Sequence, residues 1–227
     1  MHIPDGILPI AVCGAGYAVT AAATYVSLRK LKRDPESERQ IPKAALLTAA
    51  FFVASWVHIP VPPTSVHLIL NGLMGVILGY YAFPAIVVGL FLQAVMFQHG
   101  GLTTLGVNAA MMGIPALLAY ELFRLNRFSS KTWVTNTLAF VGSAAGLLLA
   151  AAIAFSLLFA TVPTYLNVQA ERAAILTLSL AYIPLAIIEG AFAVFLITFL
   201  KRVKPELLPH QAKAPQPTLK GVENATK

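Results

Sequence analysis

The chain has 227 residues, of which 58% are hydrophobic and 11% are charged, whereas soluble globular domains average about 25% charged residues. Three long segments, 6–28, 44–120 and 132–170, contain no Asp, Glu, Lys or Arg. This composition excludes a soluble enzyme, a nucleic-acid-binding domain and a disordered protein, although the formal net charge is +7. It predicts an all-α integral membrane protein.

About seven transmembrane helices fit the apolar segments when these are divided at proline, glycine and charged residues. The division rests on the ~20 apolar residues that a helix needs to cross a bilayer. Several Trp and Tyr residues fall near the ends of the segments, where amphipathic rings prefer to lie. The predicted spans are 8–28, 43–58, 65–80, 82–98, 105–124, 134–160 and 174–200.

Basic residues are concentrated on one side of this seven-span path. Segments 29–43, 124–131 and 201–204 carry most of them, and of sixteen Lys and Arg residues only Arg172 falls on the other side. Lys and Arg in short loops resist translocation, so such loops stay in the cytoplasm. The sequence therefore predicts that the N-terminus lies outside and the C-terminus inside.

The two ends of the chain carry different signals. The first residues lack the basic region and cleavage site of a signal peptide, and His2 is too large for the usual removal of Met1, so we expect Met1 to remain. Segment 205–227 contains four prolines and scattered charges. It predicts a polar, disordered cytoplasmic tail after a transmembrane domain of residues 1–204.

Four of the five histidines, His2, His58, His67 and His99, fall at outer ends of spans or on outer loops. A histidine at position 2 behind a free amine offers three nitrogens: the Met1 amine, the His2 amide and the His2 imidazole. An ionised amide nitrogen favours tetragonal Ni(II) or Cu(II) over tetrahedral Zn(II). The alternative is an ordinary interfacial histidine in a frayed terminus.

His67 is a second candidate metal ligand. It follows an outer loop that ends at Ser65, a potential helix N-cap, and so falls in the first turn of the third predicted span. Asn71 and Met74 would then share its helix face. The same face also fits a helix-packing seam that continues through Gly75.

A polar, glycine-rich segment, 98–108, follows the fourth predicted span. Irregular backbone at membrane depth has to be buried in protein or line a cavity. Gln93, Gln98, His99 and Asn108 are therefore candidates for orienting the metal ligands or closing the site. The alternative is that they satisfy one another and the loop backbone.

Two carboxylates stand out. Asp5 is predicted to shape a turn that returns the N-terminal peptide into the fold, and to hold His2 or His67. Glu189 is the one carboxylate deep inside a predicted span, where a charge costs about 3 kcal/mol. We expect a neutral acid bonded to a neighbouring helix; the alternative is that Glu189 lines an ion pathway.

Three blocks of sequence resemble the nickel/cobalt-specific substrate-capture membrane subunit (CbiM/NikM family) of energy-coupling-factor transporters. They are MHIPDG at 1–6, SVHL and NGL within 65–73, and QHGGL, LGVN and MG within 98–113. The resemblance covers most of the chain up to about residue 200. It implies an N-terminus folded back among seven helices. It also implies that the Met1 amine, the His2 amide and imidazole, and the His67 imidazole bind the ion in a square.

The resemblance further implies a capture subunit of an ATP-driven importer of Ni(II), with Co(II) second, in a prokaryotic cell membrane. The implied partners are a transmembrane coupling subunit, two ABC-type ATPases and, in some systems, a small accessory membrane subunit. The chain has no Gly-x-x-x-x-Gly-Lys motif, so we expect a transporter subunit and not an enzyme. An ion-coupled secondary metal transporter that uses Glu189 is the alternative.

Overall fold

The computed structural model of the chain describes residues 2–35, 37–61, 64–129, 131–161 and 168–208. Within them, the chain forms seven α-helices and one antiparallel β-hairpin, in which β1 is His58–Val61 and β2 is Thr64–His67. The helices are α1 (Ile10–Leu31), α2 (Ile41–Ala54), α3 (Asn71–Leu78), α4 (Ala82–Phe97), α5 (Leu105–Phe123), α6 (Thr132–Ala160) and α7 (Val168–Val203).

In the described part of the chain, five helical segments are long and apolar enough to cross a membrane. This is the helical, apolar character of a multi-pass membrane protein. The predicted span 43–58 forms α2, which has 14 residues. The third and fourth predicted spans form one apolar segment, in which the turn Gly79–Tyr81 joins α3 to α4. The five segments are Ile10–Leu31, Asn71–Phe97, Leu105–Phe128, Thr132–Ala160 and Val168–Val203.

Residue 58 and residues 65–67, predicted to end one helix and to begin the next, lie instead in the strands of the β-hairpin, which are formed by 58–61 and 64–67. Its strands pair antiparallel, with His58 opposite His67 and Ile59 opposite Val66. Proline at position 60 has no backbone N–H to donate within a helix, and β-branched residues such as Val66 fit a strand. The hairpin therefore separates α2 from α3.

Helix α3 begins at Asn71, later than predicted. Leu70, immediately before it, has a φ of 56°, a left-handed conformation that changes the direction of the chain between strand and helix. His67 ends β2 and shares no helix face with Asn71 or Met74, and Ser65 is not a helix N-cap. Both predictions are wrong because pairing with β1 overrides the local capping pattern.

Helix α3 lies at the centre of the bundle, and all eight of its residues are buried. It packs against both α5 and α6. A Cβ at Gly75 would collide with the backbone carbonyl of Ala116, so glycine is needed for this close approach to α5. Asn71 Nδ2 donates to the carbonyl oxygens of Met112 in α5 and Gly146 in α6, each at 3.1 Å. The first turn of α3 is thus fixed by two neighbouring helices.

The chain after α7 packs back onto the bundle for a few residues. Lys43 Nζ donates to the carbonyl oxygens of Ile77 at 3.3 Å and Leu207 at 2.9 Å. The Leu208 side chain is buried. The folded part therefore extends beyond the predicted boundary at residue 204, and residues 209–227, predicted to be a tail, lie outside the described residues.

Candidate metal centre

Three imidazole rings from separate segments meet in one cluster. His2 comes from the N-terminal peptide, His67 from the end of β2 and His99 from the loop after α4. One ring nitrogen from each can be chosen so that all three lie within 4.8 Å of one another. The ring centroids of His2 and His99 are 4.2 Å apart, and each lies 5.1 Å from that of His67. Imidazole nitrogens in this arrangement suit a first-row transition metal.

The N-terminal peptide is fixed beside this cluster through Ile3, whose side chain is buried. Ile3 N donates to Asn108 Oδ1 at 3.0 Å, and Asn108 Nδ2 donates back to Ile3 O at 3.0 Å. Thr104 Oγ1 also donates to Ile3 O, at 2.6 Å. Both backbone polar groups of Ile3 are therefore paired with α5 and the loop before it, which sets the position of the adjacent His2.

Asp5 extends the same attachment to the loop after α4. Its carboxylate accepts hydrogen bonds from Leu102 N at 3.1 Å, Thr103 N at 2.9 Å and Thr103 Oγ1 at 2.6 Å. The Thr103 hydroxyl, with help from the loop amides, lowers the pKa of Asp5 below its usual value of 3.8. A Cβ at Gly101 would collide with this carboxylate. Asp5 thus returns the N-terminal peptide into the fold, as predicted, through the loop backbone.

The surroundings of His2 keep its imidazole neutral, which is the form that binds a metal cation. Neither of its ring nitrogens hydrogen-bonds to a described residue. Burial lowers its pKa well below 6.5, and the positive N-terminus, His67 and His99 lower it further, while the Gln93 side chain opposes the shift. The imidazole is consequently neutral at pH 7, and one of its ring nitrogens has a lone pair that can bind a metal. Met1, the other predicted ligand of the N-terminal peptide, lies outside the described residues.

The His67 ring is oriented by the backbone carbonyl of the next residue, Leu68. Its Nδ1 lies 3.0 Å from Leu68 O, and since a carbonyl can only accept, Nδ1 carries the proton. The lone pair of the ring is then on Nε2, which is the tautomer a metal ligand needs. Glu189 binds close by, accepting from Ile69 N and Leu70 N. The predicted bond from Glu189 to a neighbouring helix is in fact made to the backbone just before α3.

The remaining predicted site residues differ in their placement. Gln93 is fully buried, its side-chain Nε2 donates to Phe51 O at 3.5 Å, and its backbone carbonyl accepts from His99 N at 3.1 Å. Gln98 ends α4 in a left-handed conformation with an exposed side chain. Asn71 hydrogen-bonds α3 to α5 and α6. The Ser65 side chain lies outside the described residues.

Sequence reasoning missed Ile3, Thr103 and Thr104 as parts of the site. The signal that could have found the two threonines is their position shortly after the glycine pair at 100–101, in a loop that has to receive the N-terminal peptide. No pattern in the sequence identifies Ile3, because its role depends on backbone bonds to Asn108 and Thr104.

Comparison with known proteins finds relatives named as metal transport proteins. A family model described as CbiM, cobalt uptake substrate-specific transmembrane region, matches residues 2–207. A putative metal transport protein of Haemophilus influenzae is 38% identical over 212 residues, covering 92% of this chain and 97% of that protein. The cobalt transport protein CbiM of Sorangium cellulosum is 32% identical, covering 92% of this chain and 94% of that protein.

Two further similarities cover nickel transport and the fold. The fused nickel transport protein NikMN of Rhodobacter capsulatus is 40% identical over 116 residues, which is 50% of this chain and 33% of that protein. The crystal structure of a truncated transition metal transporter superimposes with a TM-score of 0.70 at 24% identity, covering 88% of this chain and 98% of that one. The predicted resemblance is confirmed: this chain belongs to the CbiM family of cobalt uptake substrate-specific transmembrane regions.

Proposed function

We propose that this chain is the substrate-capture subunit of an ATP-driven importer of Ni(II), with Co(II) as its second metal. The observation that carries the proposal is the convergence of His2, His67 and His99, with one ring nitrogen of each within 4.8 Å of the others. The hydrogen bonds that attach Ile3 and Asp5 to the loop and α5 support the proposal, because they hold the N-terminal peptide where His2 meets the other two rings.

The proposed ligands are the Met1 amine, the His2 amide nitrogen, the His2 imidazole and the His67 imidazole. Amine and amide close a five-membered chelate ring, and amide and imidazole Nδ1 close a six-membered one. The orientation of His67 supports its part, since the proton on Nδ1 leaves Nε2 to bind the ion. His99, edge-on to His2, closes the site beside this square together with Gln93, which supports the His99 backbone.

Nickel is preferred for two chemical reasons. Divalent affinities place Ni(II) above Co(II), and a planar nitrogen square with an ionised amide suits Ni(II). The similar proteins carry both metals in their names, cobalt in Sorangium cellulosum and nickel in Rhodobacter capsulatus. Cu(II) would bind such a site at least as tightly, so metal supply contributes to selection in the cell.

We propose a seven-span path with the N-terminus outside and the C-terminus inside, in a prokaryotic cell membrane. The basic segments 29–43, 124–131 and 201–204 support this orientation. The metal site then opens to the outside. A transmembrane coupling subunit and two ABC-type ATPases, with a possible small accessory subunit, would supply the energy for transport.

An ion-coupled carrier that uses Glu189 is the competing function, and the bonding of this residue disfavours it. Both carboxyl oxygens of Glu189 already accept backbone hydrogen bonds. A carrier residue has to exchange protons or ions during each cycle, which would break these bonds repeatedly at the start of α3.

Uptake of radioactive Ni(II) by cells that express the chain with its proposed partners tests the function. We expect uptake that stops when ATP is depleted, continues when the proton gradient is dissipated, and is lost in a His67→Ala variant. Uptake that follows the ion gradient and ignores His67 would contradict the proposal. Competition by Co(II) then ranks the two metals.

A further inference from the structure

Glu189 is the one carboxylate with a fully buried side chain among the residues that the structure describes. Its Oε1 accepts from Ile69 N at 2.5 Å and its Oε2 accepts from Leu70 N at 3.0 Å. A buried carboxylate is costly unless its oxygens are hydrogen-bonded. Glu189 is therefore retained inside the bundle together with these two backbone partners.

The two bonds stabilise a segment that has little support of its own. Leu70 has a φ of 56°, and no side chain of α3 caps the helix. A left-handed conformation is sparsely populated for a residue with a Cβ and persists where the surroundings hold it. The carboxylate also faces the N-terminus of α3, where backbone N–H groups lack intrahelical partners. Glu189 thus supports the segment immediately before α3 from a different helix.

A single peptide unit connects Glu189 with the metal site. The N–H of the Leu68–Ile69 peptide donates to Glu189, and the C=O of the same peptide accepts from His67 Nδ1. The peptide is planar, so its N–H and C=O cannot turn independently. Whatever fixes the direction of the N–H also fixes the carbonyl that orients the imidazole.

The backbone of α7 at Glu189 is itself held in place. Ser143 Oγ in α6 donates to the backbone oxygen of Glu189 at 3.3 Å. A Cβ at Gly190, the next residue, would collide with the ring of Phe140, so α6 and α7 are in close contact here. The carboxylate therefore extends from a part of α7 whose backbone is held against α6.

We propose that Glu189 is a positioning residue for the metal: through the Leu68–Ile69 peptide it sets the orientation and tautomer of His67. This inference rests on the proposed function, in which His67 is a ligand. Groups that orient a metal-binding histidine through its second ring nitrogen are known to control affinity. Affinity at the outer site thus depends on a carboxylate in α7 that never touches the ion.

A double-mutant cycle on the full chain in detergent tests the proposal. The variants are Glu189→Gln, His67→Ala and the two combined, and Ni(II) binding is followed by calorimetry and visible absorption. Gln keeps the shape of the side chain but replaces one acceptor oxygen with an NH₂ group. We expect Glu189→Gln to lower affinity about 10- to 100-fold and to shift the absorption band towards that of His67→Ala.

The combined variant separates positioning from general stability. If Glu189 acts through His67, the combined variant binds as weakly as His67→Ala alone, because nothing remains to be oriented. Losses that add, or wild-type affinity in Glu189→Gln, would overturn the proposal. Wild-type chain that fails to bind Ni(II), or His67→Ala that binds like wild type, would instead overturn the proposed function.

Two further variants control for folding. Glu121→Gln removes a carboxylate that binds Tyr80 and Arg124, outside the metal site, and we expect wild-type affinity from it. If Glu189→Gln does not fold, Glu189→Asp keeps both acceptor oxygens on a shorter arm. An intermediate affinity with the same shift in absorption is expected from it, and unchanged binding would refute the positioning role.

Discussion

The segment that carries His2 and the segment that carries His67 differ in what holds them in place. The N-terminal peptide is attached through Ile3 and Asp5 to side chains and amides of the loop and α5, partly at the exposed surface. The segment after His67 is buried and is attached through its backbone to Glu189 of α7. One ligand is therefore held through bonds that lie partly at the exposed surface, and the other by the interior of the bundle.

This difference suggests different roles in metal capture for His67 and for the N-terminal peptide that carries His2, which we call the His2 arm. A buried, helix-supported His67 offers a fixed point, because α3 is enclosed by neighbouring helices. The His2 arm precedes the first helix and is attached in part through the exposed Asp5 carboxylate, which makes it the easier part to detach. Changes to the His2 arm should consequently alter metal binding with little effect on the bundle.

Removing either ligand gives the largest expected effect. His2→Ala and His67→Ala should each lower Ni(II) affinity by more than about 100-fold, since even partners of ligands cost about 10- to 100-fold. His99→Ala should cost less than either, because His99 is proposed to close the site. Calorimetry on the purified chain measures all three, and a larger loss in His99→Ala than in His67→Ala would show that the ligand set is wrong.

Detaching the His2 arm alone is the next test. Asn108→Leu removes two of the three side-chain bonds to Ile3 and should lower Ni(II) affinity about 10- to 100-fold. Asn136→Leu is the matched control, because Asn136 accepts a bond from Thr198 between α6 and α7. Equal affinities in the two variants would mean that the bonds to Ile3 do not position His2.

Acid should weaken binding through the His2 arm. The pKa of His2 lies well below 6.5, chiefly because of burial, so its imidazole is neutral at pH 7 and releases no proton. The His2 amide and the protonated Met1 amine each release one, and each lowers affinity about tenfold per pH unit below the usual amine pKa of about 8. The imidazole adds a further loss as pH falls through its lowered pKa. Titrations in buffers of different ionisation enthalpy count the protons; constant affinity from pH 8 to 5 would oppose the ligand set.

The smallest effect is expected from Asp5→Asn. Its carboxylate is exposed to solvent and accepts bonds from Leu102 and Thr103, and asparagine keeps its size while losing one acceptor oxygen. Ni(II) affinity should fall less than about 10-fold. A loss as large as that of His67→Ala would indicate that Asp5 contacts the metal or a ligand directly.

The apolar segments and the histidine-bearing N-terminus could be predicted from sequence, because hydrophobic length and ligand chemistry are local properties. The geometry around His67 could not. Ser65 followed by apolar residues has the pattern of a helix start, yet strand pairing with β1 and the left-handed Leu70 place that start at Asn71. Both features depend on contacts distant in sequence.

The role of Glu189 shows the same limit more clearly. Its position in an apolar span predicted burial and a hydrogen-bonded partner, since an isolated charge is costly there. Its partners, Ile69 and Leu70, lie more than a hundred residues away. Only the packing of α7 against the segment before α3 brings them together.

Metal binding by chain that begins at Met1, beside chain with one added residue before Met1, tests the central claim most directly. Ni(II) is titrated by calorimetry and visible absorption, with a chain extended at its C-terminus as control. We predict that the native start and the control bind one Ni(II) tightly with the band of spin-paired, square-planar Ni(II), and that the added residue abolishes both. Equal binding and equal spectra in all three would contradict the terminal chelate and assign capture to other ligands.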